Sequence, residues 1–257
     1  MPERTINGRR LGFEIQPESF DKNGLTVVFI HGTGGDREHW RDQLNGLSST
    51  ASMLALELPG HGTSEGPGEA TVQGFSRWVI DFIDAVDLRK VMLVGCSLGS
   101  AITQWIALNA RQPWLVALGL VGAGARLKVH PAFLEGLRDN KNKALSMLAD
   151  FCLSDSPDPV LHAKLREKFL DADAELILGD LGACNEFDVM GRLSEIDLPT
   201  CIIVGQEDKL TPVKYAKFLS ESIKNSSLQI IPAAGHLVSM EQPLKFNEIL
   251  SDFIRRL

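Results

Sequence analysis

The sequence predicts an α/β fold with a mostly parallel, doubly wound sheet and one inserted helical segment. Short aliphatic and β-branched runs alternate with longer segments of helical period, which is the order of a βαβα chain. The runs are largely apolar, as is typical of strands covered on both faces. The predicted strands are residues 27–30, 53–58, 91–94, 116–121, 201–204 and 228–231.

Four segments between and after these strands are predicted to be helices. In residues 72–86, apolar side chains recur at spacings of three and four, so that one face is apolar and can pack on the sheet. Residues 100–108 and 212–223 each follow a strand, and residues 243–254 close the chain. These are the crossover helices that parallel strands require.

Residues 126–192 break the alternation, because they contain helical patterns at 133–137 and 144–151 but no convincing strand. A loop is predicted at 154–159, where two prolines and several helix-capping residues would stop a helix. We therefore predict an α/β core of residues 1–125 and 193–257, and a helical cap of residues 126–192.

The composition narrows the class of protein. The 257 residues are 44% hydrophobic and carry a net charge of −7 without a basic cluster, which disfavours disorder and nucleic acid as a partner. No apolar run is long enough to span a bilayer, and the first ten residues lack the apolar core of a secretory signal. We expect no membrane association, a cytoplasmic location and four free cysteines. A homo-oligomer remains open.

A glycine-flanked serine directly follows one predicted strand and directly precedes an apolar helix. The segment is Gly95-Cys96-Ser97-Leu98-Gly99. A strand–turn–helix context is what the G-x-S-x-G nucleophile elbow requires, since the sharp turn exposes the serine hydroxyl at the sheet edge. Ser97 is therefore the predicted nucleophile. The alternative interpretation is a serine in an ordinary turn.

A serine nucleophile needs a base and a group that orients the base, and both should follow it at the ends of later strands. Among six histidines, His236 alone follows the last strand through a glycine, so it is the predicted base. The preceding strand leads into Glu207 and Asp208. The residues themselves do not separate these adjacent carboxylates.

Acyl transfer also needs N–H donors for the developing oxyanion. We predict the N–H of Leu98 as one donor and that of Thr33 as the other, with Gly34 as the alternative. A glycine-rich phosphate loop is the competing interpretation of residues 31–35, but the nucleotide-binding patterns are missing. His31 and His61 lack the spacing of zinc ligands. We expect neither a cofactor nor a metal.

Five ordered motifs together resemble the α/β-hydrolase family, particularly its small esterases, lactonases and cofactor-free haloperoxidases. Besides the elbow, these are His31-Gly32, Pro59-Gly60-His61-Gly62-Thr63-Ser64, Gly205-Gln206-Glu207-Asp208 with Pro212, and Gly235-His236 with Glu241 and Pro243. In the family's acid loop the fourth position is the acid, so the resemblance selects Asp208. It also implies that residues 126–192 form a cap over the site, although its apolar residues Phe133, Leu137, Met147, Leu148 and Phe151 could equally pack cap helices together.

The expected function is a serine hydrolase that cleaves a carboxylic ester, lactone or thioester of a small molecule through Ser97, His236 and Asp208. Hydrolysis of carbon–carbon bonds and perhydrolysis could use the same three residues. A non-catalytic small-ligand receptor of the same fold is the alternative from another class. A serine at the elbow argues against relatives that use aspartate there.

Overall fold

The computed structural model of the chain describes residues 2–18 and 21–257. The predicted core segment 1–125 includes Met1, Ser19 and Phe20, which lie outside the described residues. Within the described residues the eight strands are β1 Glu3–Ile6, β2 Arg9–Gln16, β3 Leu25–Ile30, β4 Ser52–Leu56, β5 Lys90–Cys96, β6 Leu115–Val121, β7 Thr200–Gly205 and β8 Ser226–Ile231.

The strands form one sheet in the order β1-β2-β4-β3-β5-β6-β7-β8. The first two strands pair antiparallel with their neighbours, and the remaining strands are parallel. The chain order reverses direction at β3, so the helices that follow can cover both faces. The predicted α/β-hydrolase fold is confirmed, and all six predicted strands lie within or overlap observed ones.

Ten α-helices surround the sheet in the described part of the chain. They are α1 Arg41–Leu47, α2 Val72–Val86, α3 Leu98–Asn109, α4 Pro131–Asp139, α5 Lys141–Phe151, α6 Pro159–Asp171, α7 Ala174–Glu186, α8 Val213–Ser222, α9 Val238–Glu241 and α10 Pro243–Ile254. Short 3₁₀ helices span Arg37–Trp40 and Leu193–Glu195. None of the helices is long and apolar enough to cross a membrane over the residues that the structure describes.

The two faces of the sheet belong to separate apolar clusters, because successive side chains of a strand point to opposite faces. In β3, Val28 and Ile30 belong to the cluster that includes side chains of α2, α3 and α8, whereas Val27 and Phe29 belong to the cluster that includes side chains of α1 and α10. Phe29 also stacks on the fully buried Trp40, with ring centroids 4.8 Å apart. Burial on both faces explains why the central strands β3, β5, β6 and β7 are largely apolar.

Strands β1 and β2 were missed by the sequence analysis, which assigned no strand before residue 27. They form a hairpin whose turn is Asn7-Gly8, with φ angles of 49° and 81°. Positive φ at both central positions suits a type I′ turn, for which Asn-Gly is the preferred sequence. The flanking strands carry many charged and partly exposed residues, so their apolar alternation is weak.

Helices α4 to α7 lie between β6 and β7, where the cap is predicted. At the two ends of this segment, Arg126 pairs with Asp188 in an isolated antiparallel bridge, and the N–H of Val189 donates to the carbonyl of Ala125 at 2.8 Å. The segment thus leaves and re-enters the sheet region at one place. Its assignment as a separate cap, residues 126–192, stays a prediction.

The face of the sheet covered by α2 offers a direct test of packing. Phe82 is fully buried and meets Phe13 of β2 edge to face, with centroids 5.2 Å apart. We expect Phe82→Ala to lower the free energy of unfolding by about 3–5 kcal/mol, because it leaves a cavity. Urea unfolding measures this loss. Leu244→Ala on the exposed face of α10 is the control and should change stability by less than about 0.5 kcal/mol, and equal effects of the two changes would contradict the packing described.

Candidate active site

Ser97 lies at the junction of β5 and α3 in a strained backbone conformation. Its φ and ψ are 54° and −114°, a region that a residue with a side chain rarely adopts. Two close approaches require glycine here: a Cβ at Gly95 would collide with the carbonyl of Gly99, and a Cβ at Gly99 would collide with the carbonyl of Ile30. The turn therefore has the tight geometry that the G-x-S-x-G pattern predicts.

The Ser97 turn is fixed to two neighbouring strand ends. Its N–H donates to the carbonyl of Val121, the last residue of β6, at 3.0 Å. On the other side, a Cβ built on Gly32 would lie 3.2 Å from the Cβ of Ser97, so the loop after β3 passes directly over the serine. Because these contacts come from opposite sides, the Ser97 side chain has one direction left open, toward a cavity that it lines.

Asp208 and His236 form a buried pair at the ends of β7 and β8. His236 Nδ1 lies 2.9 Å from Asp208 Oδ2, and both residues are at least 95% buried, with exposed fractions of 2% and 5%. A carboxylate on Nδ1 favours the tautomer in which Nδ1 carries the proton and Nε2 can accept one. Glu207 instead accepts the N–H of Asp155 at 2.8 Å and does not contact the imidazole.

Thr211 completes the surroundings of Asp208 and was missed by the sequence analysis. Asp208 Oδ1 accepts the N–H groups of Leu210 and Thr211, at 2.9 and 2.7 Å, and Oδ2 accepts the Thr211 hydroxyl at 2.7 Å. Burial raises the pKa of Asp208, but the charge of His236, its hydrogen bond and the bonds from Thr211 outweigh burial and leave that pKa below its ordinary value. An aspartate followed three residues later by threonine is a turn signal that could have identified Thr211.

Ser97 and His236 line the same cavity. A Cβ built on Gly122, the residue after the Val121 that binds Ser97, would lie 2.9 Å from His236 Cε1. The imidazole therefore occupies the space beside the elbow. Within the described residues, no hydrogen bond joins the Ser97 hydroxyl to His236.

The two predicted oxyanion donors lie beside Ser97. Leu98 begins α3, so its N–H belongs to the first turn, whose N–H groups have no partner within the helix. Thr33 lies in the loop that passes over Ser97 and also lines the cavity. The N–H of Gly34, the alternative donor, is already bound to Asp180 Oδ2 at 2.9 Å. Among the described residues, the Thr33 N–H donates to no acceptor, which favours the prediction of Thr33 over Gly34.

The cavity has a volume of about 750 Å³. Most of its lining is apolar, and much of it comes from helices α4 to α7: Phe133, Met147, Leu148, Phe151, Leu161, Leu165, Phe169 and Leu181. Four of the five apolar residues that the sequence analysis considered for the cap therefore line the cavity. The fifth, Leu137, is buried against other apolar side chains. Such a size and lining suit a small organic ligand.

His39 is a second imidazole at the cavity wall, and its surroundings differ from those of His236. His39 Nε2 lies 3.0 Å from the Ser239 hydroxyl, and burial lowers the pKa of His39 to about 3. None of its hydrogen bonds in the structure is to a carboxylate. His39 is therefore a neutral wall residue, and the predicted base, His236, has the partner that a general base needs.

A sequence profile of the alpha/beta hydrolase family matches residues 27–249. The chain belongs to this family. A solved thermophilic esterase is 32% identical, with a TM-score of 0.89 and coverage of 99% of this chain and 97% of that one. The 3-oxoadipate enol-lactonase 1 of Acinetobacter baylyi is 26% identical over 96% of this chain and 94% of its own length. The enol-lactonase structure from Burkholderia xenovorans, 21% identical with a TM-score of 0.89 over 99% and 100% of the two chains, shares the fold.

The family assignment confirms the predicted resemblance and the predicted class of enzyme, a hydrolase. The match begins at Val27 of β3 and ends at Ile249 of α10, so it includes every candidate site residue. The individual roles of Ser97, Asp208, His236, Thr33 and Leu98 stay predictions that rest on the geometry described above.

Segment 152–155, which follows α5, is fastened to the loops that carry Asp208 and His236. Glu241 accepts the N–H groups of Ser154 and Gly235, at 2.8 and 2.7 Å, and so joins this segment to the residue before the histidine. The N–H of Leu237 donates to the carbonyl of Cys152 at 3.0 Å. The motif residue Glu241, which the sequence analysis noted only by resemblance, thus orients the His236 loop of this hydrolase.

His31 and His61 are neighbouring buried imidazoles, with centroids 4.8 Å apart, whose partners dictate different protonation states. His61 Nδ1 lies 3.0 Å from the carbonyl of Pro59 and Nε2 2.9 Å from Asp180 Oδ2. A carbonyl and an ionised carboxylate can only accept, so this geometry favours a His61 that donates from both nitrogens and carries a positive charge. His31 Nδ1 faces the carbonyl of Gly32 at 2.8 Å, whereas Nε2 accepts the N–H of Leu58 at 3.1 Å, so His31 is neutral.

These assignments agree with the electrostatics. Burial favours a lower pKa for His61, but the hydrogen bond and charge of Asp180 outweigh it and raise that pKa above its ordinary value. Burial, and next the charge of His61, hold the pKa of His31 well below its ordinary range. Neither histidine has the surroundings of a metal ligand, and among the described residues no group of three His, Cys, Asp or Glu side chains is placed to bind a metal.

The pair of histidines predicts a specific pH dependence. We expect His61 to lose its second ring proton only above the ordinary histidine pKa of about 6.5, whereas His31 should gain one only well below that value. Since the pKa of folded His61 is the higher one, the stability that it contributes is complete below about pH 6.5 and is lost as the pH rises through the raised pKa. Ring ¹⁵N chemical shifts measured against pH, assigned with His31→Asn and His61→Asn, report both states. A His61 that loses its second ring proton below the ordinary histidine pKa would contradict the ion pair.

Proposed function

We propose that the protein is a serine hydrolase that cleaves a carboxylic ester of a small molecule, with Ser97 as nucleophile, His236 as base and Asp208 as the acid that orients it. One observation carries the proposal: a strained serine at a strand–helix junction shares a cavity with a histidine whose far nitrogen is bound by a buried carboxylate. The esterase and enol-lactonase names of the relatives support the bond type, an ester or a lactone.

The proposed reaction has two halves. His236 Nε2 takes the hydroxyl proton as Ser97 Oγ attacks the carbonyl carbon, and the oxyanion accepts the N–H groups of Leu98 and Thr33. The tetrahedral intermediate then collapses, and the alcohol leaves with the proton from His236. In the second half, His236 deprotonates a water that attacks the acyl-enzyme. The second tetrahedral intermediate collapses, the Ser97 oxygen leaves with the proton from His236, and the carboxylic acid product is released.

The local charges support this division of roles. Asp208 accepts three hydrogen bonds besides that of His236, so it remains a carboxylate when the imidazole becomes a cation. The N-terminus of α3 favours negative charge developing beside Leu98. The apolar walls supplied by α4 to α7, the proposed cap, favour an acyl or alcohol portion of low polarity.

The kinetic test uses short p-nitrophenyl esters and simple lactones. We expect Ser97→Ala and His236→Ala to lower kcat by on the order of 10⁶, and Asp208→Ala by about 10⁴, as in a serine protease whose triad acts as a unit. Ser48→Ala and His162→Ala are the matched controls, since both residues lie away from the cavity, and they should leave kcat unchanged.

Two outcomes would contradict the proposal. Turnover that survives Ser97→Ala would show that Ser97 is not the nucleophile. Saturable binding of esters without any turnover by the wild type would indicate the alternative, a small-ligand receptor. Thioesters in the same screen show how far the acyl specificity extends beyond oxygen esters.

A further inference from the structure

Helix α7 presents one face to the loop that carries the proposed oxyanion donor Thr33. Ile177, Asp180 and Cys184 are spaced by three and four residues and therefore share a face. Each contacts this loop: a Cβ at Gly34 would lie 2.5 Å from Ile177 Cδ1, Asp180 accepts the Gly34 N–H, and the Thr33 side chain is close enough to the Cys184 thiol to affect its pKa.

Asp180 is fully buried, and His61 is its one ion-pair partner among the described residues. Its Oδ2 accepts both the N–H of Gly34 and Nε2 of His61, at 2.9 Å each, whereas its Oδ1 has no hydrogen-bond partner among the described residues. A buried carboxylate is unfavourable unless it is paired. The ion pair with His61 stabilises it, and His61 is itself anchored by the carbonyl of Pro59.

The hydrogen bond to Gly34 determines the direction of the preceding peptide groups. Gly34 has φ +62°, a conformation that favours glycine and turns the chain sharply. Its N–H is bound to Asp180 and is therefore occupied. The N–H of the neighbouring Thr33 donates to no acceptor among the described residues, and Thr33 lines the cavity that Ser97 also lines.

We propose that Asp180, paired with His61, is a positioning residue that aims the Thr33 N–H at the oxyanion. The inference rests on the proposed function and deepens it, because it makes one donor of the oxyanion hole depend on a helix outside the sheet. If α7 moved away, the Gly34 bond would break and the donor would lose its orientation.

The experiment compares three variants on a short p-nitrophenyl ester. Asp180→Ala removes the acceptor, Asp180→Leu removes it while filling the volume, and Asp180→Asn keeps an oxygen that can accept from both Gly34 and His61. We expect Asp180→Ala and Asp180→Leu to lower kcat about 10- to 100-fold with KM changed less than threefold. This loss is smaller than the 10²–10³-fold loss in kcat that follows complete removal of an oxyanion donor. Asp180→Asn should keep kcat within about fivefold of the wild type. The Leu variant covers the case in which the Ala variant does not fold.

A second measurement separates positioning from a general loss of structure. An alkylboronic acid forms a tetrahedral anion on a serine and therefore uses the oxyanion donors. Its affinity for Asp180→Ala and Asp180→Leu should fall by the same factor as kcat. The matched control is Asp150→Ala, which breaks an exposed aspartate–histidine pair with His162 at 2.7 Å, in α5 and α6, without touching the Thr33 loop. It should leave kcat and boronate affinity unchanged.

The inference is overturned if Asp180→Ala or Asp180→Leu keeps kcat within twofold of the wild type, or if Asp180→Asn loses as much kcat as the variant without an acceptor. It is also overturned if kcat falls while boronate affinity does not. Failure of the proposed function would appear differently, as a wild type without turnover or as turnover that survives Ser97→Ala.

Discussion

The strained turn at Ser97 is the constraint on which the rest of the site depends. A positive φ at a residue with a side chain is unfavourable, and it persists because the surrounding chain leaves no alternative: Gly95 and Gly99 approach backbone carbonyls too closely for any other residue. The neighbouring strand ends then determine what the serine meets. Strand β6 binds its N–H, and the loop after β3 passes over it. Parallel strands bring the later loops, with Asp208 and His236, to the same edge.

The segment between β6 and β7 contributes more than cavity walls. Residues 152–155 bind the loops of the proposed acid and base, and α7 binds the loop of the proposed oxyanion donor. Both places include hydrogen bonds from a backbone N–H to a carboxylate, which belongs to Glu241, Glu207 or Asp180. A carboxylate on a backbone N–H is a strong and directional interaction, so it can fix a loop that has little regular structure of its own.

The sequence predicted the features that arise from local patterns. Apolar runs located six of the strands, and α2 and α10 were predicted with the bounds observed, because a strong apolar periodicity marks a buried face. The order of serine, acid and histidine after successive strands located the candidate site. What was missed depends on contacts between distant segments. Asp180 is one acidic residue in a helical stretch until the fold brings it to His61, 119 positions away, and Thr211 gains its importance only beside Asp208. The strands β1 and β2 were missed for another reason. Their hairpin signal, Asn7-Gly8, is visible in the sequence, but the flanking residues lack a clear apolar alternation.

The central claim is that Ser97 is the residue that attacks the substrate, and covalent labelling tests it most directly. The protein is incubated with an alkyl fluorophosphonate, which reacts with activated serines, then digested and analysed by mass spectrometry. The account predicts one adduct per chain, on the peptide that contains Ser97, with labelling slowed strongly by His236→Ala. An adduct on another residue, or no adduct in a preparation that hydrolyses esters, would contradict it.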